Sequence, residues 1–204
     1  MKTWLDNKIF IFLGGLVDVI ILSLLWYIGS LLVFTAGASS TALYYTIHKS
    51  LIHSEGYLFS TFKRSFTDNF KKATMIWLIC LLLDAFLIFD LVLTRMAIDQ
   101  GNVLAVLYYP VLVCLVLAFM WQLSIIAYQA RFEDTVRAVL YKSAVIAFRN
   151  IGWTLFLTVF LAALIYLCRY LIVLIVIIPG GYGCLMHHVF EHIYEKMGWI
   201  DKDS

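Results

Sequence analysis

Three stretches of this chain are too long and too apolar to fold anywhere but inside a lipid bilayer. They cover residues 9–35, 103–130 and 151–178, and each exceeds the roughly 20 residues that a helix needs to cross the hydrocarbon core. A fourth stretch, residues 73–93, is just long enough. Hydrophobic residues make up 63% of the 204 residues, more than a soluble domain of this size could bury. The sequence therefore predicts an all-α, polytopic membrane bundle in one domain, residues 1–204.

The positive charges indicate which connectors face the cytoplasm. Short loops that stay in the cytoplasm are enriched in lysine and arginine. The connectors 54–72 and 131–150 are both basic, whereas the loop between residues 94 and 102 has only Arg95, balanced by Asp99. We therefore expect the two basic connectors on the inside and the loop between them on the outside.

The two chain ends leave two topologies open. A model with four spans would export both ends, together with Lys2, Lys8, Lys196 and Lys202. A model with six segments uses Gly37 and Pro179-Gly180-Gly181 as outer turns, after which shorter helices return at residues 38–53 and 182–197. We favour six segments, because Arg95 is then the only lysine or arginine in an outer loop. This topology predicts a bacterial inner-membrane protein with both termini in the cytoplasm.

The first basic connector is itself amphipathic. Leu58 and three phenylalanines recur every fourth residue, which is typical of a helix with one apolar face. Such a helix lies on the inner membrane surface and could also receive a partner protein. The residues of this predicted interface are Phe62, Lys63, Arg64, Phe66, Asn69, Phe70 and Lys71. The second connector is expected to be a similar cytoplasmic helix.

Several short motifs between residues 24 and 74 resemble the YesL family of bacterial membrane proteins. These motifs are Thr35-x-Gly37, Ala42-Leu43-Tyr44-Tyr45 and Phe62-x-x-x-Phe66-x-x-Asn69-Phe70-Lys71-x-Ala73. Ala38 stands where that family commonly has proline. Members of the family are often associated with carbohydrate ABC transporters, so the resemblance implies an accessory role in sugar uptake or its control. It supplies no catalytic residues.

Charged residues inside the predicted spans are candidates for function, because a charge is costly in lipid. Arg169 falls between Asp84 and Asp90 in depth, and a buried ion pair with either aspartate is the expected arrangement. Such a pair would be neutral and would give a permeant charge little to bind. Asp18 has no basic partner at its depth, but Gln122 could form a hydrogen bond with it. Asp18 and Gln122 are therefore candidate cavity residues.

Aromatic residues suggest a second candidate pocket. Sugar-binding sites combine aromatic faces with hydrogen-bonding groups, which Tyr44, Tyr45 and His48 could supply together with Tyr108 and Tyr109. Tyrosines are equally expected as belt residues at the membrane interface, and this second interpretation is the more favoured one.

One local motif matches a metal site. His188-Val189-Phe190-Glu191-His192 fits the H-x-x-E-H pattern, in which two histidines four residues apart bind zinc and the glutamate acts as a base. No later carboxylate in a helical setting completes the site. His188 and His192 are therefore weak metal candidates, and we expect no metal, no other cofactor and no enzymatic activity.

Three functional hypotheses follow from these observations. The first is an accessory or regulatory component of carbohydrate uptake that contacts ABC permease subunits or a membrane sensor. The second is a membrane subunit or carrier that binds a small solute such as a sugar. The small-residue face Ala38-x-x-x-Ala42 is similar to the contact faces of vitamin-transporter binding subunits. The third is an intramembrane zinc peptidase. Nucleic acid is excluded as a partner, because the net charge of +2 is small and dispersed.

Overall fold

The computed structural model describes residues 2–53, 57–99, 103–171 and 174–200, and it describes no side chains for residues 2–12 and 99. The described residues form helices and contain no β-strand. The helices are α1 (Lys2–Gly29), α2 (Ala36–Thr46), α3 (Leu58–Asp99), α4 (Tyr108–Arg131), α5 (Val136–Arg149), α6 (Ile151–Cys168) and α7 (Leu174–Lys196). Short 3₁₀ helices cover Val33–Thr35 and Val103–Leu107, and a π-helical turn, Ile47–Ile52, extends α2.

Four of these helices are long and apolar enough to cross a membrane, and α1 adds a shorter apolar stretch over Leu13–Gly29. Large apolar side chains on these helices are exposed, among them Leu82 at 72%, Val113 at 56% and Ile165 at 62%. Exposed apolar faces of this extent fit a lipid environment. The prediction of an all-α membrane bundle is confirmed.

Neighbouring helices pack as antiparallel pairs. Trp26 Nε1 of α1 donates a hydrogen bond to Ser40 Oγ of α2 at 3.0 Å. Helix α2 then runs beside the first half of α3, so that Gly37 lies against Trp77 and Ser50 Oγ donates to Thr61 Oγ1 at 3.0 Å. A Cβ atom at position 37 would collide with the Trp77 side chain, which explains the glycine.

From Leu58 onward, the predicted connector 54–72 and the predicted span 73–93 form one continuous helix, α3. The apolar face of its first half packs into the protein rather than on lipid. Phe62 is only 6% exposed and lies in a cluster with Leu22, Leu43 and Ile47. Three basic side chains of this half, Lys63, Arg64 and Lys71, stay exposed as the amphipathic pattern predicted, whereas Lys72 is half-buried.

The predicted outer turn at Pro179-Gly180-Gly181 is wrong, because these residues lie inside α7. Helix α6 ends earlier, at Cys168, and α7 already starts at Leu174. Proline has no N–H, so it leaves the carbonyl oxygen of residue 175 without its helical partner. The Tyr27 hydroxyl of α1 donates to this oxygen at 2.7 Å, and Gly180 N–H donates to Ser23 Oγ at 2.9 Å. Helix α1 thus repairs the hydrogen bonding of α7 across the proline.

The first predicted span also ends early, since α1 stops at Gly29 rather than at residue 35. The Thr35 hydroxyl donates to the carbonyl oxygens of Gly29 and Leu32 at 2.7 Å each, which closes the turn into α2. The chain ends, residues 1 and 201–204, lie outside the described residues, and so do the side chains of Lys2 and Lys8.

The predicted connector 131–150 contains the amphipathic helix α5. Trp121 Nε1 of α4 donates to Leu140 O at 3.1 Å and to Ser143 Oγ at 2.9 Å, which fixes α5 against α4. Between the two helices, Asp134 accepts hydrogen bonds from Lys142 Nζ at 2.8 Å and from the Tyr128 hydroxyl. These two donors lower the pKa of the Asp134 carboxyl group from its ordinary value.

We expect Gly180→Ala to weaken the contact between α1 and α7. The new Cβ would overlap the Val19 carbonyl oxygen, so one helix backbone must shift at a cost of about 1–3 kcal/mol. Gly181→Ala is the matched control, since its Cβ would meet only Ile177 at 3.8 Å. Thermal unfolding in detergent should show a lower midpoint for the first variant alone. Equal midpoints for both variants would contradict the close approach.

Candidate functional site

Five polar side chains from four elements meet inside the bundle, and we call them the polar cluster. They are Tyr44 of α2, His48 of the π-helical turn, Arg131 at the end of α4, and His187 and Glu191 of α7. His187 and Glu191 are four residues apart and so share one face of α7. The π-helical turn that carries His48 is a rare conformation, which often occurs at functional sites.

The strongest contact in the polar cluster is the ion pair between Arg131 and Glu191. Arg131 Nε lies 2.8 Å from Glu191 Oε1, and Arg131 Nη2 donates to Oε2 at 3.0 Å. Both side chains are largely buried, with 16% and 14% of their surface exposed. The Tyr44 hydroxyl adds a hydrogen bond to Glu191 Oε1 at 3.2 Å. The guanidinium group thus donates one hydrogen bond to the carboxylate, through Nη2, and its Nε lies close to the other oxygen as an ion-pair contact.

The two histidines extend this ion pair into a directional chain. Arg131 Nη1 lies 2.8 Å from His48 Nε2, and arginine can only donate, so His48 Nε2 is the acceptor. The proton of a neutral His48 is then on Nδ1, which lies 2.9 Å from His187 Nε2. His187 Nε2 is an acceptor in turn. This network assigns the neutral form to both imidazoles.

The polar cluster holds a potential metal donor set. One ligand atom each from His48, His187 and Glu191 lies within 4.8 Å of the other two. Arg131 already donates to His48 Nε2 and contacts both oxygens of Glu191. A divalent cation would therefore fit only if the guanidinium group moved away.

The predicted zinc motif is divided between two faces of α7. Glu191 points into the polar cluster, but His188 and His192 are exposed, and His192 packs near the Trp153 ring at 5.9 Å. The histidine that joins Glu191 is His187, which the motif does not include. The pattern H-x-x-E-H selected residues by type, whereas the spacing of four between His187 and Glu191 was the signal for a shared face.

A cavity of about 510 Å³ lies beside the polar cluster, and we call it the central cavity. Its volume falls within the roughly 300–1,000 Å³ of small-molecule sites. Tyr44 lies in its wall and also binds Glu191, so this residue joins the two regions. Six aromatic side chains contribute to the wall: Trp26, Tyr27, Tyr44, Trp77, Phe119 and Tyr182.

The aromatic hydrogen-bond donors in this wall are already engaged within the protein. Trp26 donates to Ser40, Trp77 to Val33 O at 2.9 Å, Tyr27 to Ile175 O, Tyr44 to Glu191 and Tyr182 to Leu157 O at 3.3 Å. Gln122 Nε2, the only side-chain amide group in the wall, donates to Asp84. The central cavity therefore offers mainly apolar surface and aromatic faces.

The structure brings together only some of the predicted site residues. Gln122 and Tyr44 line the central cavity, and His48 belongs to the polar cluster. The wall of the central cavity does not include the other predicted pocket residues, which are Asp18, Tyr45, Tyr108 and Tyr109. Gln122 bonds Asp84 at 2.8 and 2.9 Å rather than Asp18. The described residues show no ion pair between Arg169, which is exposed, and either Asp84 or Asp90.

Residues 19–91 match the model of a family of bacterial membrane proteins that is described as a protein of unknown function, DUF624. This region is less than half of the chain, and it contains the residues that carry the resemblance noted from the sequence. No curated protein and no solved structure matches the chain.

We expect Glu191→Gln to destabilise the protein by about 2–4 kcal/mol, because it leaves the largely buried Arg131 charge without its counter-ion. Glu195→Gln is the control, since Glu195 is exposed one turn later on the same helix. Replacing both Arg131 and Glu191 with methionine should restore part of the loss. Thermal unfolding in detergent measures all three variants, and a stable Glu191→Gln variant would show that the ion pair contributes little.

Proposed function

We propose that this protein is a non-catalytic membrane subunit that binds a small, mainly apolar molecule in the central cavity. The observation that carries this proposal is the aromatic wall of the cavity, whose hydrogen-bond donors are already engaged within the protein. A ligand there gains from burial of apolar surface and contact with aromatic faces, but it finds few donors. Of the functions considered from the sequence, a solute-binding subunit fits this chemistry best.

The same chemistry argues against a sugar as the bound molecule. A sugar carries many hydroxyl groups, and each would lose its water without gaining a partner. Tyr44 fits the sequence-based hypothesis of a sugar pocket only by its position. Its hydroxyl is directed to Glu191 and not to a ligand.

An accessory role in carbohydrate uptake is compatible with this function, and we propose it from the resemblance to the YesL family. In this arrangement a permease subunit or a membrane sensor handles the sugar, and the present chain contacts that partner. The exposed basic residues Lys63, Arg64 and Lys71 of α3 are the proposed contact surface, in the cytoplasm of a bacterial cell with both chain ends on the same side. The small-residue face of Ala38 and Ala42 is buried within the chain and is not available for this contact.

Zinc peptidase activity is the alternative, because His48, His187 and Glu191 lie close enough to hold a metal ion. We favour a protein without catalytic activity, since Arg131 already contacts two of these three residues, His48 and Glu191. Metal analysis of protein purified without chelators distinguishes the two functions. Stoichiometric zinc that is lost in a His48→Ala variant would support the peptidase.

Filling the central cavity should block binding. We expect Ile126→Trp to weaken binding of 1-aminoanthracene, an apolar fluorescent probe, by about tenfold or more, because the indole takes the space of the ligand. Val113→Trp adds the same group to the exposed face of the same helix and is the control. Saturable probe fluorescence in detergent measures both affinities. Unchanged binding in a folded Ile126→Trp variant would refute the proposed function.

A further inference from the structure

Asp84 is a carboxylate without a basic partner in the part of the chain that the structure describes. It is half-buried on α3, within a helix apolar enough to span the membrane. The partner that the structure gives its side chain is the neutral amide of Gln122. Intramembrane charges that lack a counter-charge are costly and commonly mark ligand or ion pathways.

Gln122 connects this charge to the central cavity. The side chain is 3% exposed and lies in the cavity wall. Its Nε2 donates to both oxygens of Asp84, at 2.8 and 2.9 Å. Because an ionised carboxylate only accepts, the amide nitrogen is fixed on the Asp84 side. The carbonyl oxygen of Gln122 is then the atom left for a ligand, and it requires a donor.

The rest of the cavity wall has the same electrostatic preference. The faces of Trp26, Trp77 and Phe119 attract cations through their ring quadrupoles. The other carboxylate near the cavity, Glu191, is already neutralised by Arg131. The net charge beside the cavity is therefore the negative charge of Asp84.

We propose that the ligand of the central cavity is a lipophilic primary ammonium ion, that is, a protonated amine with an apolar body. Its N–H groups donate to the Gln122 carbonyl oxygen, its charge offsets that of Asp84, and its apolar body lies among the aromatic side chains. This assignment rests on the proposed function, because it assumes that the cavity takes up a small molecule.

Three probes of one shape test the assignment. They are 4-phenylbutylamine, 4-phenylbutanol and 4-phenylbutyrate, which at pH 7 carry a positive charge, no charge and a negative charge. Each displaces 1-aminoanthracene from the detergent-solubilised wild-type protein. We expect the amine to bind about tenfold or more tightly than the alcohol, and the carboxylate to bind most weakly. Equal affinities of amine and alcohol would overturn the assignment.

Variants locate the origin of the preference. Asp84→Asn should reduce the ratio of amine to alcohol affinity to near one, while Asp90→Asn, on the same helix and outside the cavity wall, should keep the wild-type ratio. If a folded Asp84→Asn variant keeps the wild-type ratio of amine to alcohol affinity, the assignment is overturned. If this variant does not fold, the comparison of the three probes on the wild-type protein decides. The amine and the alcohol could bind the wild-type protein equally well, while Ile126→Trp still weakens the binding of both. This result would refute the ammonium ligand but leave the proposed function intact. Failure of 1-aminoanthracene itself to bind the wild-type protein would refute both.

Discussion

The contact between α1 and α7 supports the rest of the bundle. Pro179 lies in the second turn of α7 and leaves the carbonyl oxygen of Ile175 without its helical N–H partner. The Tyr27 hydroxyl supplies that partner, and Gly180 lets α1 approach closely enough to do so. Tyr27 and Pro179 both contribute to the wall of the central cavity. The hydrogen bond that replaces the one lost at Pro179 thus also positions part of the wall that a ligand would contact.

The interior contains two kinds of charged sites, a neutral ion pair and a single carboxylate. At the polar cluster, the positive and negative charges of Arg131 and Glu191 cancel, and the histidines continue the hydrogen bonding. At Asp84 the charge has an amide for a partner and, among the residues that the structure describes, no cation. Burial of an ion pair brings little net stability, but loss of one member is costly. The polar cluster is therefore neutral overall, whereas the role we propose for Asp84 is to give the cavity its preference for a cation.

The sequence predicted the helical membrane class, because long apolar stretches leave few alternatives. It failed where the decisive contacts are tertiary. Pro179-Gly180-Gly181 has the local pattern of a turn, and only the hydroxyl groups of another helix keep it helical. Counting residues gave Gln122 and Asp18 similar depths, but depth does not say which way a side chain points around its helix. The same limit concealed His187, whose partner His48 lies 139 positions earlier in the chain.

Helix α3 has a mechanical consequence. Its 42 residues extend for roughly 63 Å, about twice the thickness of the hydrocarbon core. One uninterrupted rod therefore joins the exposed charges of Lys63 and Arg64 to Trp77 and Asp84. If the basic end of α3 were displaced, the helix would carry Trp77, a residue in the wall of the central cavity, with it. The basic end of α3 and two residues at the central cavity, Trp77 in its wall and Asp84 bonded to Gln122, thus belong to one rigid element.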